Sequence, residues 1–267
     1  MTSLGRVLII AGSDSGGGAG VQADIKTVTS LGGYAATAIT AVTAQNTLGV
    51  SAVHTIPVEI IEAQARVVLD DIGADAIKTG MLGDAAVVEA VAHLLDSAAG
   101  IPAVIDPVMI AKGGATLLAR DAVGAVKALL IPRAALLTPN APEAEAMTGL
   151  AVTSTDDLRR AGEALLAMGA KAVLMKGGHM PGKRVIDLLM TATGETVFES
   201  ERIDTRNTHG TGCTLASACA TGLAQGMPLS DAVARAWAYV QEALRCAPGF
   251  GAGHGPLGHG WPLRGKV

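Results

Sequence analysis

Six short apolar runs, at residues 7–11, 34–42, 76–78, 103–105, 134–137 and 172–175, alternate with amphipathic stretches of helical length. Several of these runs are continuous rather than alternating in polarity, as strands buried on both faces must be. This rhythm predicts an α/β fold in which helices cover a mostly parallel central sheet. Helix punctuation agrees with it. A helix over 21–31 stops at Gly32 and Gly33, Pro57 opens one over 58–70, and Asp84 precedes one over 85–95. A helix over 155–168 ends at Gly169, and Ser230 or Asp231 starts one that runs to Cys246. No linker, repeat or low-complexity block interrupts the 267 residues, which predicts a single domain. The Gly-rich stretch 248–260 reads as a loop that covers something.

Composition removes several classes of function. Twenty Lys and Arg stand against 24 Asp and Glu, and there are two each of Trp, Tyr and Phe, so the chain has neither a basic field nor a stacking surface for nucleic acid. Cys213, Cys219 and Cys246 form no CxxC pair and no cluster at zinc spacing, which argues for a reducing compartment. Asp14 follows the first apolar run too soon for a signal-peptide core. Thr, Ser, Gly, Gln and Asn punctuate the longest uncharged stretch, 27–53, too densely for a membrane span. A cytoplasmic protein with no membrane partner is expected.

In open parallel sheets ligands sit at the carboxyl ends of strands. There the chain places Gly12-Ser13-Asp14, Gln45-Asn46, Thr79-Gly80-Met81, Asp106-Pro107-Val108, Thr138-Pro139-Asn140 and Lys176-Gly177-Gly178. Residues 207–226 contain a further signal, His209-Gly210-Thr211-Gly212-Cys213, directly before an Ala-rich helix. Glycines permit close backbone approach, and the free N–H groups of a helix start attract an anion, most simply a phosphoryl group. At such a terminus the thiolate of Cys213 is favoured, so that it acts as a base or polarises a substrate hydroxyl. The alternative is that Cys213 fills a tight helix start, as Cys219 and Cys246 fill apolar helix faces.

Asp106, Asn140 and Glu143 offer the oxygen ligands that Mg²⁺ takes. Asn140 and Glu143 equally suit a helix cap and its first-turn carboxylate. Lys176, at a strand end beside glycines, suits a phosphate or a solvated surface. Residues 177–183 match GxxxxGK, but Arg184 replaces Ser/Thr and a strand-like VIDLLM follows, so this is not a P-loop. Residues 12–20 fit no G-x-G-x-x-G register, which weakens a dehydrogenase reading.

Seven ordered segments, AGSDSGGGAGVQADIKT, ITAVTAQNT, KTGMLG, VIDPVMIAKGG, LTPNAPEAE, LMKGGH and NTHGTGCTL, resemble the hydroxymethylpyrimidine/phosphomethylpyrimidine kinase family of the ribokinase-like superfamily. The resemblance implies a three-layer αβα sandwich. It also implies ATP-dependent phosphorylation of 4-amino-5-hydroxymethyl-2-methylpyrimidine to its monophosphate and then to the pyrophosphate used in thiamine synthesis, with Mg²⁺ and a homodimer. The superfamily usually carries Asp after its GxG anion hole; Cys213 in that slot matches this subfamily.

By the same resemblance Gln45, Gly12, Asp24, Met81 and Val108 contact the pyrimidine. Asp106, Asn140 and Glu143 serve the metal. Lys176, Thr208, Thr211 and Gly212 bind ATP phosphates, and Cys213, Lys176, Gly210 and Gly212 are catalytic. An amide presents donor and acceptor together to an amino-nitrogen edge, which suits Gln45. Val28, where many relatives have Phe, and Trp261 depart from the family pattern. A pyridoxal or pyridoxamine kinase is the nearest rival, and a non-catalytic pyrimidine or nucleotide sensor is a rival of another class.

Overall fold

The computed structural model describes residues 4–110, 114, 117–119 and 122–265; residues 111–113 of the VIDPVMIAKGG segment lie outside them. One nine-stranded sheet is built from β1 (Arg6–Asp14), β2 (Tyr34–Asn46), β3 (Gly49–Thr55), β4 (Ala76–Thr79), β5 (Ala103–Ile105), β6 (Leu136–Leu137), β7 (Ala172–Met175), β8 (Arg184–Thr191) and β9 (Gly194–Glu201). Its order is β3-β2-β1-β4-β5-β6-β7-β8-β9. The pairings from β2 through β1, β4, β5 and β6 to β7 are parallel, and those of β3, β8 and β9 are antiparallel.

Side chains alternate between two cores, as the two-residue period of a strand requires. Leu8, Ile10, Ile77, Leu137 and Val173 enter one core, with α2 (Val58–Asp71), α3 (Ala85–Ser97), α5 (Ala141–Thr148) and α6 (Thr155–Ala167), beside a short α4 (Ala122–Ala125). Val7, Ile9, Ala76, Val104 and Leu136 enter the other, against α1 (Gly20–Ser30), α7 (Thr211–Ala224) and α8 (Leu229–Arg245). This is the three-layer αβα sandwich. Val28 is fully buried in the second core, and Trp261 lies partly buried against Tyr239, 5.9 Å between ring centroids.

Helix ends follow local chemistry. Asp84 Oδ1 accepts from Val87 N at 3.0 Å, Ser154 and Asp157 form a capping box, and Gly149 closes α5 in the left-handed conformation. Some expected boundaries change. The first run extends as strand to Asp14, and the run at 134–137 shortens to two paired residues because Ile131–Arg133, with Pro132, forms a tight helical turn. The edge strands β3 and β9 lie beyond the predicted runs, since most of their side chains face solvent and carry little apolar signal.

The register places Ile10 beside Thr79, Thr79 beside Ile105, Ile105 beside Leu137, and Leu137 beside Val173. The carboxyl ends of β4, β5 and β6 therefore finish level, those of β1 and β7 run a little further to Asp14 and Met175, and the loops leaving them share one edge.

Candidate active site

Above that edge lies a continuous cavity of about 760 Å³. Gly210 begins one wall with φ +83°, and a Cβ there would stand 1.8 Å from the Gly18 carbonyl oxygen, so only glycine fits. No side chain caps α7. The Thr211 N–H turns back to the Thr208 carbonyl at 3.4 Å, and those at Gly212 and Cys213 are left to the cavity, at the positive end of the helix dipole.

Lys176 faces this helix start. Its Nζ lies 3.0 Å from Asp106 Oδ1 and 3.9 Å from Glu143 Oε2. Burial alone would lower the Lys176 pKa, but the two carboxylates outweigh it and raise it, so the ammonium stays charged. Thr138 Oγ1 donates to Asp106 Oδ1 at 2.9 Å, whereas Asp106 Oδ2 is buried with no hydrogen-bond partner among the described residues. An orphaned buried carboxylate oxygen beside an anion site is what a hard cation shared with phosphate would take. Asn140 and Glu143 form a capping box on α5, with Asn140 Oδ1 accepting from Glu143 N at 2.9 Å and Glu143 Oε2 from Asn140 N at 2.8 Å. They cap the helix and line the cavity at once. Burial, with the Asp106 carboxylate nearby, pushes the Glu143 carboxyl up to about 7 against the pull of Lys176. Among the described residues no three His, Cys, Asp or Glu side chains are grouped to hold a metal by themselves. Such sparse protein ligation suits Mg²⁺, which keeps waters and phosphate oxygens.

The thiol of Cys213 departs from the sequence reading. It reaches the cavity, but burial pushes it up to about 11, with Asp24 and Asp106 acting in the same direction and Lys78 opposing. Desolvation outweighs the helix dipole, so the thiol is neutral near pH 7.

Gln45, Gly12, Met81 and Val108 line the far part of the same cavity, and a Cβ at Gly12 would lie 2.9 Å from Met81 Sδ. Gly12 therefore gives the Met81 side chain its place on the wall. Asp24 is not there. It is fully buried beneath the floor, where its carboxylate takes Lys78 Nζ at 2.8 and 3.0 Å and Ser217 Oγ at 2.7 Å. As a direct substrate contact Asp24 is corrected: a carboxylate in the core of a helix packed on the sheet must be paired, and its oxygens are spent on that pairing. Thr208, Thr211, Gly212 and Lys176 all line the cavity.

Other groups carry no role in the sequence reading. Asp14 and His209 meet at 2.8 Å beside Gln45. The buried Asp187 carboxylate accepts from Gly177 N at 2.8 Å and is pushed up to about 6 by burial. The Trp237 side chain hydrogen-bonds this carboxylate, and Gln241 Oε1 and Ser200 Oγ line the cavity near it as buried polar atoms without partners among the described residues. The usable signal for Asp187 was a lone acid inside the apolar run VIDLLM; Trp237 and Gln241, four residues apart on α8, gave none. The cavity therefore has a cationic, amide-rich centre, an amide at one end and an unsatisfied polar lobe at the other.

A family model described as phosphomethylpyrimidine kinase matches residues 14–258. The hydroxymethylpyrimidine/phosphomethylpyrimidine kinase of Streptomyces coelicolor is 50% identical over 257 residues, covering 96% of this chain and 95% of its own. The thiamine biosynthesis bifunctional protein ThiED of Geobacter sulfurreducens is also 50% identical, and the chain spans 52% of its length. Among solved structures, the Staphylococcus aureus pyridoxal kinase in complex with AMP-PCP and pyridoxal is similar, with a TM-score of 0.91 at 33% identity over 98% of this chain and 96% of that one.

Proposed function

The chain belongs to the phosphomethylpyrimidine kinase family, and from that premise we propose that it is an ATP-dependent phosphotransferase. It phosphorylates 4-amino-5-hydroxymethyl-2-methylpyrimidine to the monophosphate and then to the pyrophosphate for thiamine biosynthesis. The observation that carries this reading is that the Gln45 amide, the glycine coil at 210–213, Lys176 and Asp106 open on one cavity.

In this reading the heterocycle lies between Gly12, Met81 and Val108, with its amino-nitrogen edge on Gln45 and its hydroxymethyl oxygen toward Cys213. The first-turn N–H groups of α7 and Lys176 receive the γ-phosphoryl, with Thr208 and Thr211 along the phosphates. Phosphoryl transfer depends on positioning and charge stabilisation more than on a strong base, because its transition state is loose. A neutral Cys213 thiol is then adequate: it orients the attacking hydroxyl, whose oxygen bonds the γ-phosphorus as the bond to ADP breaks, and whose proton passes late to a phosphoryl oxygen. Asp106, with Glu143 and Asn140, would hold Mg²⁺, which neutralises charge on the ATP phosphates when bound. The lobe at Asp187, Trp237, Gln241 and Ser200 takes the nucleoside end of ATP. Asp24 supports the floor from below. In the second reaction the same groups receive another phosphoryl, with the monophosphate oxygen in the place of the hydroxyl.

The 267 residues act as one kinase domain in the cytoplasm. No helix among the described residues is long and apolar enough to cross a membrane. A homodimer is supported by the edge strand β3, which exposes Val53, next to the exposed Leu48. The similarity to a pyridoxal kinase favours vitamin B6 forms as a second substrate class, decided by competing the two substrates for kcat/KM. Catalysis, rather than sensing alone, is supported by the charged Lys176 aimed at the uncapped helix start. Mass analysis of products from ATP, Mg²⁺ and the hydroxymethylpyrimidine should show the monophosphate followed by the pyrophosphate; unchanged pyrimidine with intact ATP would refute the reading.

A further inference from the structure

Resting on that reading of the site, we infer that the Asp14–His209 pair is a positioning device that fixes the Gln45 amide and thereby the direction in which an aminopyrimidine lies. His209 Nε2 touches two groups, Asp14 Oδ2 at 2.8 Å and the Gln45 amide at 3.0 Å. Asp14 Oδ2 already accepts from Gly18 N at 3.1 Å and Ala19 N at 2.8 Å, and Oδ1 from Gly16 N at 2.8 Å. Burial would raise the Asp14 pKa, but the bonds to His209 and these amides outweigh it and hold the carboxyl below its ordinary range. Asp14 therefore has no proton to give, and the hydrogen between the two belongs to His209 Nε2.

An imidazole N–H cannot accept from an amide NH₂, so the Gln45 atom facing it must be oxygen. The other end of the amide makes the same demand. Thr43 Oγ1 has one hydrogen, and the shorter contact, 2.9 Å to the Ser13 carbonyl, takes it. Only lone pairs remain to face the Gln45 amide at 3.2 Å, so that atom must be nitrogen. With the amide nitrogen placed toward His209, donor meets donor at one end and acceptor meets acceptor at the other. Turning the amide over puts its NH₂ on the Thr43 lone pairs and its oxygen where it shares the Nε2 hydrogen with Asp14, and partners are what tell amide oxygen from nitrogen. Two independent neighbours thus select one orientation: oxygen on the His209 side, NH₂ on the Thr43 side.

The orientation gives the substrate a direction. Around the pyrimidine, the ring nitrogen, the carbon bearing the amino group and the carbon bearing the hydroxymethyl follow one another. The amino group donates to the Gln45 oxygen, and the ring nitrogen accepts from its NH₂. The hydroxymethyl then lies beyond the amino group, on the His209 side. The next residue is Gly210, the start of the anion coil. With the amide reversed, the same ring would turn over and carry its hydroxymethyl away from Cys213.

The test compares the 4-amino substrate with its 4-oxo analogue, in which a carbonyl and a ring N–H reverse donor and acceptor. The wild-type enzyme should prefer the amino compound strongly in kcat/KM, since a site built for one hydrogen-bond pattern rejects the other. His209→Phe frees the amide to rotate and should lower that preference at least about tenfold, mainly through KM for the pyrimidines, with KM for ATP unchanged. His209→Gln, which returns an N–H to the position of Nε2, should restore the preference; a merely structural role would not make selectivity follow that N–H. Nitrogen NMR of the wild-type protein reads the same wiring without a variant or a substrate, and should show His209 protonated at Nε2. An unprotonated Nε2, or an unchanged preference in His209→Phe with ATP binding intact, overturns the inference. Wild-type enzyme that turns over neither pyrimidine would instead overturn the proposed function, leaving the NMR result to decide the wiring.

Discussion

Gly212→Ala separates stability from activity at the helix start. Gly212 is the second residue of α7 and has no positive φ, so a Cβ brings no backbone strain. Alanine is a better helix residue than glycine by roughly 0.5–1 kcal/mol, and the variant should melt at the same temperature as wild type or slightly higher. The new methyl, however, would stand 3.1 Å from Lys176 Nζ and 3.7 Å from Asp106 Oδ2. An ordinary carbon contact is longer, so the ammonium must yield by a few tenths of an ångström, away from its 3.0 Å bond to Asp106 Oδ1. The methyl also occupies the space in which a phosphoryl group would meet both the helix N–H groups and Lys176. Loss of one such preorganised donor costs on the order of 10²–10³ in turnover, about 3–4 kcal/mol of transition-state stabilisation. Calorimetry and steady-state kinetics on one preparation measure both quantities. An unchanged or raised melting temperature with kcat down about a hundredfold is expected. Turnover within about threefold of wild type would show that the transferring group does not pass between Gly212 and Lys176.

Three further outcomes follow from named contacts. Cys213→Ala should lose turnover by on the order of a hundredfold with little change in ATP affinity, and Cys213→Ser should retain more, because a neutral hydrogen-bonding group suffices there; equal loss in both variants would restore a thiolate base. Lys78→Met leaves the Asp24 carboxylate buried without its partner and should cost about 3–5 kcal/mol in urea unfolding, while a loss below about 1 kcal/mol would mean that the pair is not sealed. His259 is held down to about 4 by burial, while Nε2 bonds Thr214 Oγ1 at 3.0 Å. The unfolded chain binds this proton from about 6.5 downward and the folded chain does not, so stability present above that pH is lost as pH falls toward 4, by up to about 3 kcal/mol. His259→Gln should remove that part of the slope, and parallel unfolding profiles for the two proteins between pH 7 and 4 would contradict it.

The layered fold was legible in the chain because its signals are local. Continuous apolar runs mark strands covered on both faces, and Gly32, Asp84 and Gly169 act within a turn of the helices they bound. The edge strand β9 was hidden because it pairs by backbone while most of its side chains face water. Gln45, Asp106, Lys176 and the coil at 209–213 were legible for a related reason: each stands at a strand end or a helix start, where short-range geometry already determines what the backbone offers. Asn140 and Glu143 carry a helix-cap spacing that is equally a ligand spacing, and the fold uses them as a cap on the cavity wall.

Charge state and partnership were decided only by tertiary packing. Asp14 and His209 are 195 residues apart, and Asp24 meets Lys78 and Ser217 across 54 and 193 residues. A sequence does not state how much water a side chain loses or which distant group replaces it. That exchange turned Asp24 from a ligand into a floor support and kept the Cys213 thiol neutral. It also left Asp106 Oδ2 without a partner among the described residues and gathered Asp187, Trp237 and Gln241 into one lobe. The order of residues determined the architecture and the chemistry available at its edge, because both arise from neighbours a few positions apart. Desolvation and pairing arise from segments that meet only once the sheet is wound, and they determined what each group does there.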